Sequence, residues 1–171
     1  RAGKNATVMI PNLLSWPGSC VVIDPKGTNA LVTAEYRRSL GHKVHIFDPF
    51  GIVGPKTHTF NPLTALDLNS RSLREDVAVL ADALVVPDDS GVGKNASHFE
   101  EGAKLLICGL ISHLISTPGY ENHRVLPSLR EFLLMTGESK ARLWVSMARN
   151  ESGGGWARDA ASAVDEGAGS E

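Results

Sequence analysis

The chain has 171 residues, 42% of them hydrophobic and 21% charged, the composition of an ordinary globular protein with a real core. A formal net charge of −2 excludes a bulk cationic surface for nucleic acid. The most apolar stretch, Leu105 to Ile115, is broken by Gly109, Ser112 and His113 and falls short of the roughly 20 residues of a membrane span.

In chain order, Ala6 to Leu14 reads as a helix that Pro11 disturbs. Trp16-Pro17-Gly18 is a turn. Ser19 to Ile23 (SCVVI) is a short apolar run rich in β-branched residues, which suits a buried parallel strand. Asp24-Pro25-Lys26-Gly27 breaks it, Asn29 reads as an N-cap, Ala30 to Leu40 as a helix, and Gly41 as its C′ residue. Lys43 to Phe47 (KVHIF) is expected to be a second strand, parallel to the first and reached by a right-handed crossover. Asp24 and Asp48 would then share one edge of the sheet.

From Arg71 the period becomes helical. Leu73, Val77, Leu80, Ala81 and Leu84 fall on one helix face. A loop covers 87–96, and further helices are expected over 97–116, 126–135, 139–149 and 155–166. No strand signal follows residue 50. Cys20 and Cys108 both lie in apolar runs without metal-type spacing and read as buried reduced thiols. The expected architecture is therefore α/β over residues 1–70 and all-α over 71–171.

The chemistry sits at the start. Arg1-Ala2-Gly3-Lys4-Asn5 matches the tail of a phosphate-binding loop, G-x-x-x-x-G-K-[ST], whose first glycine would lie just upstream of Arg1. Glycine lets the backbone N–H groups close on the phosphates, a helix N-terminus adds its dipole, and lysine reaches the terminal phosphates. This is a P-loop ATPase pattern. The nucleotide-binding set is Arg1, Ala2, Gly3, Lys4, Asn5, Ala6 and, at the strand end, Asp24. Asn5 stands where a Ser or Thr normally serves Mg²⁺, and Thr7 would point elsewhere on the helix. Pro25 follows Asp24, so Asp24 lacks the adjacent Glu that orients water in such enzymes. Gly93-Lys94-Asn95 repeats the Gly-Lys-Asn motif but lacks a preceding strand and reads as a loop.

The ordered string from Gly3-Lys4 through IPNLL (10–14), PGS (17–19), DPKG (24–27), FDPF (47–50), FNPL (60–63) and HFEEGAKLLICGLI (98–111) resembles the TraG-like coupling proteins of conjugation and type IV secretion. That resemblance implies a partial RecA-like P-loop sheet followed by an all-α insertion, in a fragment of about a third of the parent protein. It implies ATP and Mg²⁺ as cofactors and Lys4 as the phosphate lysine. The Walker B acid would lie outside the chain, so no catalytic residue is expected within it. It further implies a homo-oligomeric, hexameric motor at the cytoplasmic face of the bacterial inner membrane, anchored by segments outside this chain. Its partners would be relaxase or relaxosome, DNA and the secretion channel.

A dinucleotide-binding dehydrogenase is rejected, because no G-x-G-x-x-G precedes Asp24. A non-hydrolysing interaction module with a degenerate nucleotide fold is the alternative. Residues 97–171 carry seven Lys/Arg against ten Asp/Glu, a poor phosphate track, so the helical block is expected to recognise a protein substrate rather than DNA.

Overall fold

The computed structural model describes residues 3–86 and 95–168. The second Gly-Lys pair, Gly93-Lys94, lies outside the described residues, as do Arg1 and Ala2. The chain divides into two units, Arg1–Phe60 and Asn61–Glu171.

Pro11 shapes the first helix. It has no N–H to give to the carbonyl one turn back, and its ring crowds that carbonyl. The chain answers with a π-helical turn over Asn5–Met9, in which the Ile10 N–H reaches the Asn5 carbonyl, before α1 proper over Ile10–Ser15. The next helix, α2 (Thr28–Ser39), begins differently from the expected Asn29 cap. Asp24-Pro25-Lys26-Gly27 closes a turn through Gly27 N–H to the Asp24 carbonyl at 3.0 Å, and Gly27, at φ +68°, becomes the N-cap residue. It has no side chain to cap with, and the Asp24 carboxylate substitutes by accepting the Ala30 N–H at 3.0 Å. Asn29 turns inward and is buried. At the far end Gly41, at φ +85°, sits at C′ as its position suggests. Its N–H meets the Arg38 carbonyl and that of His42 the Arg37 carbonyl, the two bonds of a Schellman motif.

The expected parallel sheet is absent: among the described residues there is no strand and no ladder. SCVVI and KVHIF carry no regular secondary structure and pair with no strand, with Val21 98%, Ile23 89% and Phe47 68% exposed. Two physical causes are visible. Parallel ladders persist when both faces are covered, yet α2 turns inward Asn29, Thr33 and Arg37, with Ala34 as its one buried apolar residue. The backbone of the second run is also claimed by a returning loop. The His58 N–H donates to the Ile46 carbonyl at 2.8 Å, the Ile46 N–H to His58 Nδ1 at 3.1 Å, and the Asp48 N–H to Thr57 Oγ1 at 2.7 Å. For the same reason Cys20, expected to be buried in a strand, is exposed.

The second unit is helical, as its periodicity dictates. It consists of α3 (Leu73–Leu84), α4 (Asn95–Ser116), α5 (Leu126–Leu134), α6 (Gly137–Ala148) and α7 (Trp156–Ala168), with single 3₁₀ turns between some of them. α4 is the central helix, packing against α3, α5, α6 and α7. Cys108, Leu110, Ile111, Leu114 and Ile115 meet Val77 and Ala81 of α3, Phe132 of α5, Met147 of α6 and Ala157 and Ala160 of α7 in one continuous core. Gly153 to Gly155 all have positive φ and turn the chain from α6 into α7. Arg74 of α3 closes that corner: it donates to the Gly154 carbonyl, pairs with Asp159 at 2.9 Å and lies 3.9 Å over the Trp156 ring.

Gly109 permits the α4–α7 crossing. A Cβ there would overlap the Ala160 Cβ and stand 3.0 Å from the Trp156 carbonyl oxygen, whereas a Cβ at Gly102 of the same helix meets nothing. Alanine should therefore act with opposite signs at the two positions. Gly102→Ala should stabilise by up to about 1 kcal/mol from helix propensity, and Gly109→Ala should destabilise by about 1–3 kcal/mol from overpacking. Urea unfolding of both variants measures this, and equal effects would refute the close crossing.

A polar island lies inside the helical core. His113 is buried, and its Nδ1 faces the Asn150 Nδ2 donor at 3.1 Å and Thr117 Oγ1 at 3.2 Å. Asn150 Nδ2 also donates to Ser116 Oγ at 2.9 Å. Among the described residues Nε2 has no hydrogen-bond partner, and the ring sits edge-on to Tyr120 and beside Phe132. Burial pushes the imidazole below its ordinary value. The unfolded chain then binds this proton more readily, so the contribution is complete above about pH 6.5 and is lost as pH falls below it. The unfolding midpoint should drop between pH 7.5 and 5.5, and by less in His113→Gln. Parallel pH profiles for the two proteins would overturn this assignment.

Candidate phosphate-facing helix terminus

The candidate site begins at Gly3, whose φ of +134° is open to glycine and which a Cβ would leave without any neighbour within 4 Å. The helix starts at once. The Gly3 carbonyl accepts both the Thr7 N–H and the Thr7 hydroxyl at 2.8 Å. The N–H groups of Lys4, Asn5 and Ala6 precede that first intrahelical bond and are left unclaimed by the helix. Lys4 and Ala6 are exposed and Asn5 is half-buried. Three successive N–H groups, one cation and the positive end of a helix form a donor set for a phosphate.

The same residues do not fit a metal. Thr7 spends its hydroxyl on Gly3, and Asn5 offers an amide. Among the described residues no group of three His, Cys, Asp or Glu side chains is arranged to hold a metal ion.

Asp24 stands apart from this terminus. Its carboxylate is committed to the Ala30 N–H, and among the described residues no hydrogen bond or ion pair joins it to Gly3, Lys4, Asn5 or Ala6.

Two side chains organise this unit, Arg37, which carried no motif, and Asp48 of FDPF. Arg37 is buried and donates through Nη1 to the Leu13 carbonyl at 3.2 Å and to the Trp16 carbonyl, and through Nη2 to the Gly18 carbonyl at 2.8 Å. A signal for it existed: Asn29, Thr33 and Arg37 recur every four residues, an inward polar row on one helix face. Asp48 accepts the Val53 N–H at 2.6 Å. This bond, with help from the Ile52, Phe50 and Gly54 amides and against the effect of burial, holds its carboxyl below the usual range.

Comparison with known proteins places the chain. The family model described as Type IV secretory system Conjugative DNA transfer matches residues 1–160. The chain belongs to that family. A conjugal transfer protein TraG from Escherichia coli is 32% identical over 149 residues, covering 86% of this chain and 23% of the relative. Protein VirD4 from Rhizobium radiobacter is 29% identical over 170 residues, 89% of this chain and 23% of that protein. The type IV secretion system-coupling protein VirD4 of Bartonella quintana (strain Toulouse) is 30% identical over 134 residues, 76% and 20% of the two chains. The chain thus spans about a quarter of the length of the curated relatives it matches, less than the third implied by the resemblance alone. No solved structure matches it. Among the described residues no helix is long and apolar enough to cross a membrane.

If Asp24 serves α2 as a cap, Asp24→Ala should cost about 1 kcal/mol and speed amide exchange at Ala30 while leaving Lys4 and Asn5 unaffected. Unchanged exchange at Ala30 would refute the capping role.

Proposed function

We propose that this chain is part of the motor region of a type IV secretion coupling protein, and that Gly3, Lys4, Asn5 and Ala6 contact the phosphates of ATP. Arg1 and Ala2 complete the phosphate-binding stretch in this reading. The observation that carries it is the Gly3–Lys4 helix terminus, with three N–H groups unclaimed by the helix, in a chain of the conjugative DNA transfer family. ATP would supply the hydrolysable phosphate bond. Lys4 and the terminus would bind and orient the phosphates. Among the described residues no group of three His, Cys, Asp or Glu side chains is arranged to hold the Mg²⁺ expected with ATP.

In this reading the protein works as a homo-oligomer at the cytoplasmic face of the inner membrane. It delivers DNA–relaxase or protein substrates to the secretion channel. The helical unit would face protein rather than DNA: residues 61–171 hold ten Lys/Arg against sixteen Asp/Glu, whereas residues 1–60 hold seven against three.

A non-hydrolysing role has one observation in its favour, the amide of Asn5 where a hydroxyl would serve the metal. One experiment separates the two. In the full-length protein, Lys4→Ala should abolish ATP hydrolysis and conjugative transfer together, because the phosphates lose their cationic partner. Normal transfer by Lys4→Ala would defeat the motor reading. A parent protein that binds ATP without turning it over would favour the non-hydrolysing module.

A further inference from the structure

Arg37 is a buried cation that no carboxylate balances among the described residues. Its guanidinium is compensated by carbonyl oxygens at the end of α1. Leu13 lies in the last turn of that helix, where carbonyls lack intrahelical partners and the dipole is negative. Trp16 and Gly18 continue the same exit. His42 Nδ1 stands 3.4 Å from Nη2.

The rest of that helix is loosely held. The π-turn buries no residue, and α1 buries only Leu13. Val8 and Met9 are exposed. The helix that begins at Lys4 is therefore fixed within its unit at its far end, by the Leu13 side chain and the Arg37 fork.

We propose that Arg37 is a positioning residue for the nucleotide phosphates: by clamping the exit of α1 it sets where the N–H groups of Lys4, Asn5 and Ala6 point. This rests on the reading that those groups contact phosphate. The lever is long. A helix of this length extends roughly 16 Å, so a tilt of about 10° at the clamp carries the other end about 3 Å. A hydrogen bond from an N–H group to a phosphate does not survive a shift of that size. Lysine cannot replace this clamp, because an ammonium does not present the planar fork that reaches three carbonyls at once.

The test uses the full-length protein and follows the Kd of a fluorescent ATP analogue together with KM and kcat for ATP. Arg37→Ala and Arg37→Lys should each weaken nucleotide binding and raise KM about tenfold or more, with a smaller change in kcat at saturation. Methylguanidinium in the millimolar range should restore most of the affinity of Arg37→Ala, because it fills the vacated carbonyl cradle. It should not restore Arg37→Lys, whose cradle is occupied, nor Lys4→Ala. Arg38→Ala, which removes an exposed arginine paired with Glu35, should bind as the parent does. If Arg37→Ala does not fold, Arg37→Lys carries the comparison with Arg38→Ala.

Unchanged nucleotide affinity in both Arg37 variants, with affinity lost in Lys4→Ala, would overturn the proposal while sparing the phosphate reading. Loss in Arg37→Ala that methylguanidinium does not reverse would also overturn it, since the defect would then be general. Unchanged affinity in Lys4→Ala would sink the phosphate reading and this inference together.

Discussion

The first unit depends on a charge placed among carbonyl oxygens. Arg37 ties the exit of α1 to α2 through three backbone acceptors, and it does so where hydrophobic burial offers little. Leu13 and Ala34 are the buried hydrophobic residues described in that unit. Asp24 and Asp48 work by the same logic with the opposite sign, each accepting backbone N–H groups at the start of a turn or helix. Three charged side chains thus hold this part of the chain by reading its backbone. Such bonds are worth more than neutral ones because one partner is ionised. They are also unforgiving, since removing the side chain leaves several backbone groups buried and unpaired.

The helical unit is built on the opposite principle. A continuous apolar core surrounds α4, and polar contacts decorate its corners. The salt bridge of Lys104 with Asp82 joins α4 to α3 at 2.7 Å, but both groups are partly exposed and it adds little beyond register. Cys108 belongs to the core: burial, then the Asp82 charge, push its thiol up to about 11, where it behaves as a small hydrophobe. The His113–Asn150 island is the exception. It ties α4 to the segment after α6, where purely apolar packing would leave the register of those segments free.

The sequence made the helical unit legible almost residue by residue, because a 3.6-residue period is a local property and the apolar stripe of each helix has a partner within the same unit. The sheet was not legible. SCVVI and KVHIF have strand composition, but pairing is decided by what lies alongside, and Ile46 finds His58 instead. Cys20 was misjudged with its strand. The start of α2 shows a finer version of the same limit. Asn29 is the better N-cap by residue type, yet the Asp24–Gly27 turn places a carboxylate over the Ala30 N–H first. Gly3 and Lys4 were legible as a motif, whereas Arg37, with no motif, was visible only as a polar row on a helix.

The two runs that have strand composition but join no sheet matter for the chain in isolation. Each presents β-branched or aromatic side chains to solvent, Val21, Ile23 and Phe47 the most exposed of them, and among the described residues neither belongs to a ladder. Such edges are templates for intermolecular pairing. Self-association of the purified 171-residue chain through residues 19–23 and 43–47 should accordingly grow with protein concentration.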